Sequence, residues 1–328
     1  MRCCKFNYLS ALLVVSLIAA YAFFIVLSVD HETPRVISLR AAPDRSAEDQ
    51  TIIKVMNYNI AHARGYLSMY ELSDYDRNFE IRSEQEVTDS LDKISELVVK
   101  ENIDILVLEE ADFDTTWSFN VDEAAYIGRK AGFSSVVEGL KWSLNLPWIR
   151  IRSGQAILSK YPVVSARVSK FGAETFWRSF VGGDSYLDVV YSIRGKPVRV
   201  LGTHLESGDL AKREAEAMEL IDASRSVALP LIVAGDMNAV TPEAKEDSDY
   251  LKDKFLDNTI ESFINSGVYD FNTGLLRPTD ESMYTYSAED PHRLIDYIFT
   301  TPDLEVTEYY VVRKNLSDHF PLVARIIV

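Results

Sequence analysis

Short runs of aliphatic and β-branched residues punctuate this chain, and several of them close on a single polar or charged side chain. Val55-Met56-Asn57-Tyr58-Asn59, Ile105-Leu106-Val107-Leu108-Glu109-Glu110 and Leu231-Ile232-Val233-Ala234-Gly235-Asp236-Met237-Asn238 are three of them. Runs of roughly four to eight such residues have the length of buried strands, whereas helices run longer. A strand that is apolar along its body and polar at its end carries its last side chain to the rim of a sheet. His204 follows the run 197–203, Asp296 lies in the run 294–299, and Ser317-Asp318-His319 stands just before the closing apolar segment. The chain is thereby constrained toward a sheet edge at which amide, carboxylate and imidazole groups share one cleft.

Between these runs the period changes. Residues 84–99 place Val87, Leu91, Ile94, Leu97 and Val98 at helical spacing, and 210–224 reads as a second helix. Strands are expected at 52–58, 103–108, 155–158, 163–168, 186–193, 197–203, 229–234, 294–299, 306–312 and 321–327. Arg194-Gly195-Lys196 marks a hairpin, and Gly235 is expected to permit a sharp turn before Asp236. Hairpins together with helical crossovers predict an α/β fold with mixed sheets and helices outside them. Residues 51–328 then form one domain.

Residues 8–29 carry no charge, Arg2 and Lys5 precede them, and Asp30 and Glu32 follow. About 20 apolar residues cross a bilayer as a helix, and the positive-inside bias predicts a cytoplasmic N-terminus with the remainder exported. The expectation is a single-pass signal anchor at 1–29 followed by a linker at 30–50; secretion after cleavage of a signal peptide is the alternative. Cys3 and Cys4 lie on the cytoplasmic side, as free thiols or palmitoylation sites, so the exported part holds no disulfide. Arg2 and Lys5 are the only charges in the first 29 residues, leaving 32 basic against 50 acidic residues beyond them. Such a surface disfavours non-specific attachment to nucleic acid. The one glycosylation sequon, Asn315-Leu316-Ser317, abuts Asp318-His319.

Seven blocks in order resemble the endonuclease/exonuclease/phosphatase superfamily, the DNase I-like fold that includes neutral sphingomyelinases and inositol polyphosphate phosphatases. They are Asn57-Tyr58-Asn59, Leu108-Glu109-Glu110, Gly154-Gln155-Ala156-Ile157-Leu158-Ser159-Lys160-Tyr161-Pro162, Thr203-His204-Leu205, Gly235-Asp236-Met237-Asn238, Arg293-Leu294-Ile295-Asp296-Tyr297-Ile298 and Ser317-Asp318-His319. The resemblance implies a four-layer α/β/β/α sandwich of two mixed β-sheets. It also implies a magnesium site, with manganese as a substitute, built on Glu110 with Asn59 and Asp318; hard oxygen donors suit that ion. On the same ground His319 is the general base, Asp296 orients it, Asp236 positions the attacking water, and Asn238 and His204 donate to phosphoryl oxygens. By the same resemblance, His204 fits the branch of DNase I, sphingomyelinases and inositol phosphatases. Glu109 and Gln155 depart from the commoner pattern, which has glutamine at the first position and asparagine or a small residue at the second.

The implied activity is a membrane-anchored, extracytoplasmic, magnesium-dependent phosphoesterase acting on a diester of a lipid or small phosphorylated molecule. An exported DNase I-like nuclease is the alternative, and no obligate protein partner is indicated. His62 and Arg64 follow the first site strand and either contact substrate phosphate or shape the rim. Trp142 and Trp148, with neighbouring cations, either touch a ligand or close a loop on itself. Asp112, Asp114 and the acidic run 243–253 are read as solvated surface, and His292 as the partner in a loop hydrogen bond.

Overall fold

The computed structural model describes residues 8–27, 32–42, 52–64, 83–146, 148–172, 182–246 and 254–328. Helix α1, Tyr8–Leu27, occupies the expected apolar segment. Among the described residues no helix is long and apolar enough to cross a membrane. Within the stretch read as a tether, Arg35–Ser38 forms an edge strand, β1; 28–31 and 43–51 lie outside the described residues.

Two mixed sheets follow. The first has seven strands in the order β1-β4-β5-β3-β2-β12-β11, built from β2 (Ile52–Asn59), β3 (Ile105–Asp112), β4 (Ser135–Leu146), β5 (Ile149–Ser159), β11 (Glu305–Val311) and β12 (Leu322–Ile327) with β1. The second has five, in the order β10-β9-β8-β7-β6, from β6 (Val163–Lys170), β7 (Ser185–Ile193), β8 (Lys196–His204), β9 (Leu231–Asp236) and β10 (Asp296–Thr300). Among the described residues only β2–β3 and β8–β9 pair in parallel. Each parallel pair is joined through a helix, α2 (Glu84–Glu101) and α4 (Leu210–Arg225) respectively, because a parallel connection needs a crossover.

Side-chain alternation divides each site strand between two cores. Met56, Tyr58, Leu106 and Leu108 pack against Val87, Leu91, Ile94 and Val98 of α2 and against Ile127 of α3 (Glu123–Ala131). Val55, Ile105 and Val107 point the other way, into the core shared with the second sheet. That core also takes Ala217, Leu220 and Ile221 of α4 and Phe263 of α5 (Thr259–Asn265). Residues of odd number on β2 and β3 therefore face the space between the sheets, and Asn57, Asn59 and Glu109 continue that row to its rim.

The hairpin at Arg194-Gly195 is present, with φ of 54° and 78°, the two positive angles of a type I′ turn. Gly235 serves another purpose than the expected turn. It lies inside β9, where an added Cβ would sit 2.1 Å from the Thr203 carbonyl oxygen. The parallel partner β8 passes too close for any side chain. The segment 140–150 is no self-closed loop: it is the end of the long β4–β5 hairpin, paired from Ser135↔Ser159 to Leu146↔Ile149 with one slip in register between Leu140 and Trp142.

Candidate active site

The register of the second sheet assembles one half of the site. Asp236, last on β9, pairs with His204, last on β8, and with Asp296, first on β10. The first sheet supplies the other half: Asn59 ends β2 opposite Glu109 of β3. Between Leu108 and Ala111 the β3–β5 register slips, and Glu110 takes a φ of 50°. This bulge breaks the alternation that would send residue 110 toward α2 with Leu106 and Leu108. It turns Glu110 into the cleft, the re-aiming that bulges provide at sheet rims. A left-handed conformation without glycine is a strain retained where surrounding structure enforces it.

Asp236 is the hub. Its Oδ2 accepts from Asn59 Nδ2 at 3.3 Å and lies 3.6 Å from His319 Nε2 and 3.7 Å from His204 Nε2. Its Oδ1 accepts from the Asn238 backbone N–H at 2.9 Å. His319 Nδ1 is 2.9 Å from Asp296 Oδ2, and Asn57 Nδ2 donates to the other oxygen, Oδ1, at 3.1 Å. Glu110 Oε1 accepts from Asn59 Nδ2 at 3.3 Å and is 4.0 Å from His204 Nδ1. Its Oε2 lies 3.6 Å from His62 Nε2. Ser317 Oγ donates to the Asn59 carbonyl at 2.8 Å, tying the Ser317-Asp318-His319 turn to β2. The hydroxyl of the sequon is therefore fully buried structure.

Charge and burial pull these groups apart. Burial acts first on every one and opposes ionisation. It brings His204 down to about 3, with Lys141 adding to the effect. It raises Asp236 to about 7, reinforced by Asp296 and opposed by His319. His319 runs against its own burial, because Asp296 and Asp236 flank it and hold its proton well above the ordinary range. Glu110, a third exposed, is held near 2 against desolvation by His62 and His204. His62 is lifted to about 9, chiefly by Asp112, once burial has been overcome. Glu109 is fully buried with both carboxylate oxygens unpartnered, and burial with Asp296 and Asp236 nearby keeps it protonated well above the usual range.

The donor set fits a hard divalent cation. Burial raises Asp318, and among its neighbours Glu110 raises it further, so two carboxylates crowd where one charge alone is comfortable. Asn59 turns its NH₂ toward the carboxylates, while its Oδ1 accepts from the Ala61 N–H; ligation through oxygen requires that amide to rotate. Asp236, Asp296 and His319 also lie within 4.8 Å of one another, a second grouping able to hold an ion. There the 2.9 Å imidazole–carboxylate bond and the Asn57 amide already occupy the donor atoms. Glu110 with Asp318 is the better seat.

All ten residues singled out by sequence are described, but not all are equally placed. Asn238 lines the cleft, yet its Nδ2 donates to the Leu205 carbonyl at 3.0 Å, and Arg64 does not line either site cavity. Asp112 corrects the surface reading: it is fully buried, 3.0 Å from His62 Nδ1, and accepts from Trp117 Nε1 at 2.9 Å. His292 makes the expected loop contact, its Nδ1 2.6 Å from the Asp290 carbonyl. Sequence reasoning gave Asn57 no role, although a period of two puts it on the same face as Asn59. It also left aside Tyr286, whose ring packs 4.8 Å from that of His319.

Residues 56–319 match the profile of the Endonuclease/Exonuclease/phosphatase family. The chain belongs to that family. Among solved structures, an endonuclease/exonuclease/phosphatase from Beutenbergia cavernae is 20% identical with a TM-score of 0.61, over 84% of this chain and 72% of that one. A mannosyl-6-phosphatase from Bacteroides thetaiotaomicron is 15% identical with a TM-score of 0.59, over 84% and 100%. The human Nocturnin catalytic domain with bound sulfate is 19% identical with a TM-score of 0.58, over 90% and 96%. No functionally curated protein matches the sequence. These likenesses place the endonuclease/exonuclease/phosphatase member in the DNase I-like fold; at such identities they carry the fold alone.

Proposed function

We propose that this chain is a magnesium-dependent phosphodiesterase acting on a lipid or small phosphorylated substrate. The observation that carries the reading is Asp236, reached from one side by His319 and His204 and bridged by Asn59 to Glu110 on the other. Water held against Asp236 Oδ2 and His319 Nε2, 3.6 Å apart, loses its proton to that pair, which titrates as a unit and accepts only once the proton held on His319 by Asp296 and Asp236 has left. Asp296 keeps the imidazole oriented through Nδ1, so Nε2 faces the reacting atoms. His204, neutral under its burial, donates to a phosphoryl oxygen without adding charge. Glu110, Asp318 and a rotated Asn59 would hold magnesium, which neutralises phosphate charge and supports the departing oxygen. No covalent intermediate on the protein is called for.

The anchor belongs to the same proposal. The uncharged segment 8–29 holds the N-terminus in the cytoplasm and the catalytic domain outside the membrane; release by signal cleavage is the competing form. A reporter fused after residue 328 should be active only outside the cytoplasm, and a cytoplasmic signal would reject this topology. An exported nuclease uses the same groups and remains the second reading. The net charge of −16 weighs against it. The full chain, tested with magnesium or EDTA on sphingomyelin, phosphatidylinositol, bis-p-nitrophenyl phosphate and plasmid DNA, separates the readings. Plasmid nicking with silent lipids would reverse the order.

A further inference from the structure

Glu110 is oriented from two sides. Its Oε1 accepts from Asn59 Nδ2 at 3.3 Å, whereas its Oε2 faces His62 Nε2 at 3.6 Å. The first contact would be lost on cation binding, because Asn59 ligates through oxygen only after its amide has rotated. Among the described residues, the nearest partner then left to fix the carboxylate is His62. His204 stands farther off, with Nδ1 4.0 Å from Oε1.

His62 is itself held by a chain of buried groups. Its Nδ1 lies 3.0 Å from Asp112 Oδ1, with Ser153 Oγ a more distant neighbour at 3.4 Å. Asp112 is fully buried and is gripped at two further points. Trp117 Nε1 donates to its Oδ2 at 2.9 Å, and its backbone N–H donates to Glu123 Oε2, also at 2.9 Å. Glu123 opens α3 and is likewise fully buried. The imidazole therefore stands on a support built from β3, α3 and the turn at 116–118.

The backbone brings His62 to this place under strain. Ala61, His62 and Ala63 take φ of 44°, 55° and 52°. Three successive left-handed residues, none of them glycine, persist only where surrounding structure enforces them. Ile60 and Ala63, both fully buried, clamp the turn on either side of the histidine. An imidazole has two nitrogens. With one turned to Asp112 and the other to Glu110, His62 has no donor left for a phosphoryl oxygen.

We propose that His62 is a positioning residue for the cation seat: Asp112 sets the ring, and the ring holds Glu110 Oε2 so that Oε1 stays directed at the cleft. This rests on the magnesium reading and names the device that orients its principal ligand. A carboxylate ordered before the ion arrives binds it better, and losing such a supporting partner weakens a metal site by about 10–100-fold.

Calorimetric titration of the full chain with magnesium, in the absence of substrate, tests the assignment. His62→Ala and the ring-preserving His62→Phe should each raise Kd by about 10–100-fold. Removing an imidazole takes away positive charge or none, which by itself does not weaken the binding of a dication. Weaker binding therefore reports lost orientation. The kcat lost at limiting magnesium should return when the ion is saturating, with KM for bis-p-nitrophenyl phosphate at its wild-type value. Melting in EDTA identifies the folded variants, and either one decides the outcome. Unchanged magnesium affinity with a raised KM would make His62 a phosphate contact and overturn the proposal. So would unchanged affinity with unchanged KM, or a kcat that stays low at saturating ion. No magnesium binding by the wild type would overturn the cation seat itself, and this inference with it.

Discussion

His319 and Asn57 grip opposite oxygens of one carboxylate: Asp296 faces the imidazole through Oδ2 at 2.9 Å and the amide through Oδ1 at 3.1 Å. Asp296 is almost fully buried, so neither contact is replaced by water without movement. The orientation of the proposed proton acceptor is therefore set by strands of both sheets, β2 and β10.

Asp296→Asn removes the charge and keeps the shape. Turnover should fall about 10²–10⁴-fold, the range for losing a positioned acid–base pair. The sign of the pH effect is determined as well. Asp296 is the leading influence raising His319, so its removal should move the His319-dependent limb of the rate profile to lower pH. Asn57→Leu breaks only the outer contact, and a hydrogen bond to a charged group is worth about 1.5–3 kcal/mol. A loss of roughly 10–100-fold in kcat with KM little changed is expected in steady-state assays. An equal rise in KM would speak against positioning.

Glu110→Gln tests the cation seat without relying on turnover. Magnesium bound only to the folded form raises Tm, by about 2.7 kcal/mol of stabilisation at a hundred times Kd. Calorimetry should show that rise in the wild type and lose it in Glu110→Gln, together with EDTA-sensitive activity. A magnesium-induced shift that survives the substitution would place the ion elsewhere, with the Asp236, Asp296 and His319 group as the next candidate.

Gly235→Ala should be severe although it adds one methyl. The new Cβ would meet the Thr203 carbonyl oxygen at 2.1 Å, a backbone atom in the neighbouring strand that cannot step aside. Overpacking of this kind costs about 1–3 kcal/mol and sometimes more. Urea denaturation should show a lower midpoint, or the variant should fail to accumulate folded.

Glu138 provides a stability test remote from the site. It is 3% exposed, and burial followed by Asp122 raises it to about 8, despite Arg35. A folded pKa above the unfolded one stabilises most at low pH; that contribution disappears as pH rises from the model-peptide value of 4.5 to about 8. Glu138→Gln should be nearly neutral at pH 4 and raise Tm by about 2–4 °C at pH 8.5, the equivalent of about 1 kcal/mol in a domain of this size. A Tm gain equal at both pH values would mean that Glu138 is not neutral when buried.

Much of this arrangement was legible in the residues themselves. Runs such as 231–236 and 105–110 announce strands because their composition suits burial on both faces, and the residue after such a run must sit at a sheet rim. Asp236, His204, Asp296 and Asn59 were found on that ground, and the helix at 84–101 by its own period. The β4 strand at 135–146 was missed because its mixed, half-buried composition carries neither period cleanly, and α3 because nine residues give a weak signal. Asp112 looked like surface because an aspartate at a strand end usually is; its burial comes partly from Trp117, five residues on, and partly from His62, fifty residues away.

What local sequence determined was which side chains reach strand ends, since composition and period act within a few residues of each other. Which way those side chains point, and which of them meet, depended on tertiary structure. The slip in register against β5 turns Glu110 into the cleft, and the pairing of β8 and β10 on either side of β9 brings His204 and Asp296 to Asp236. Such choices arise from hydrogen bonding and packing between segments distant in sequence, and no local pattern encodes them.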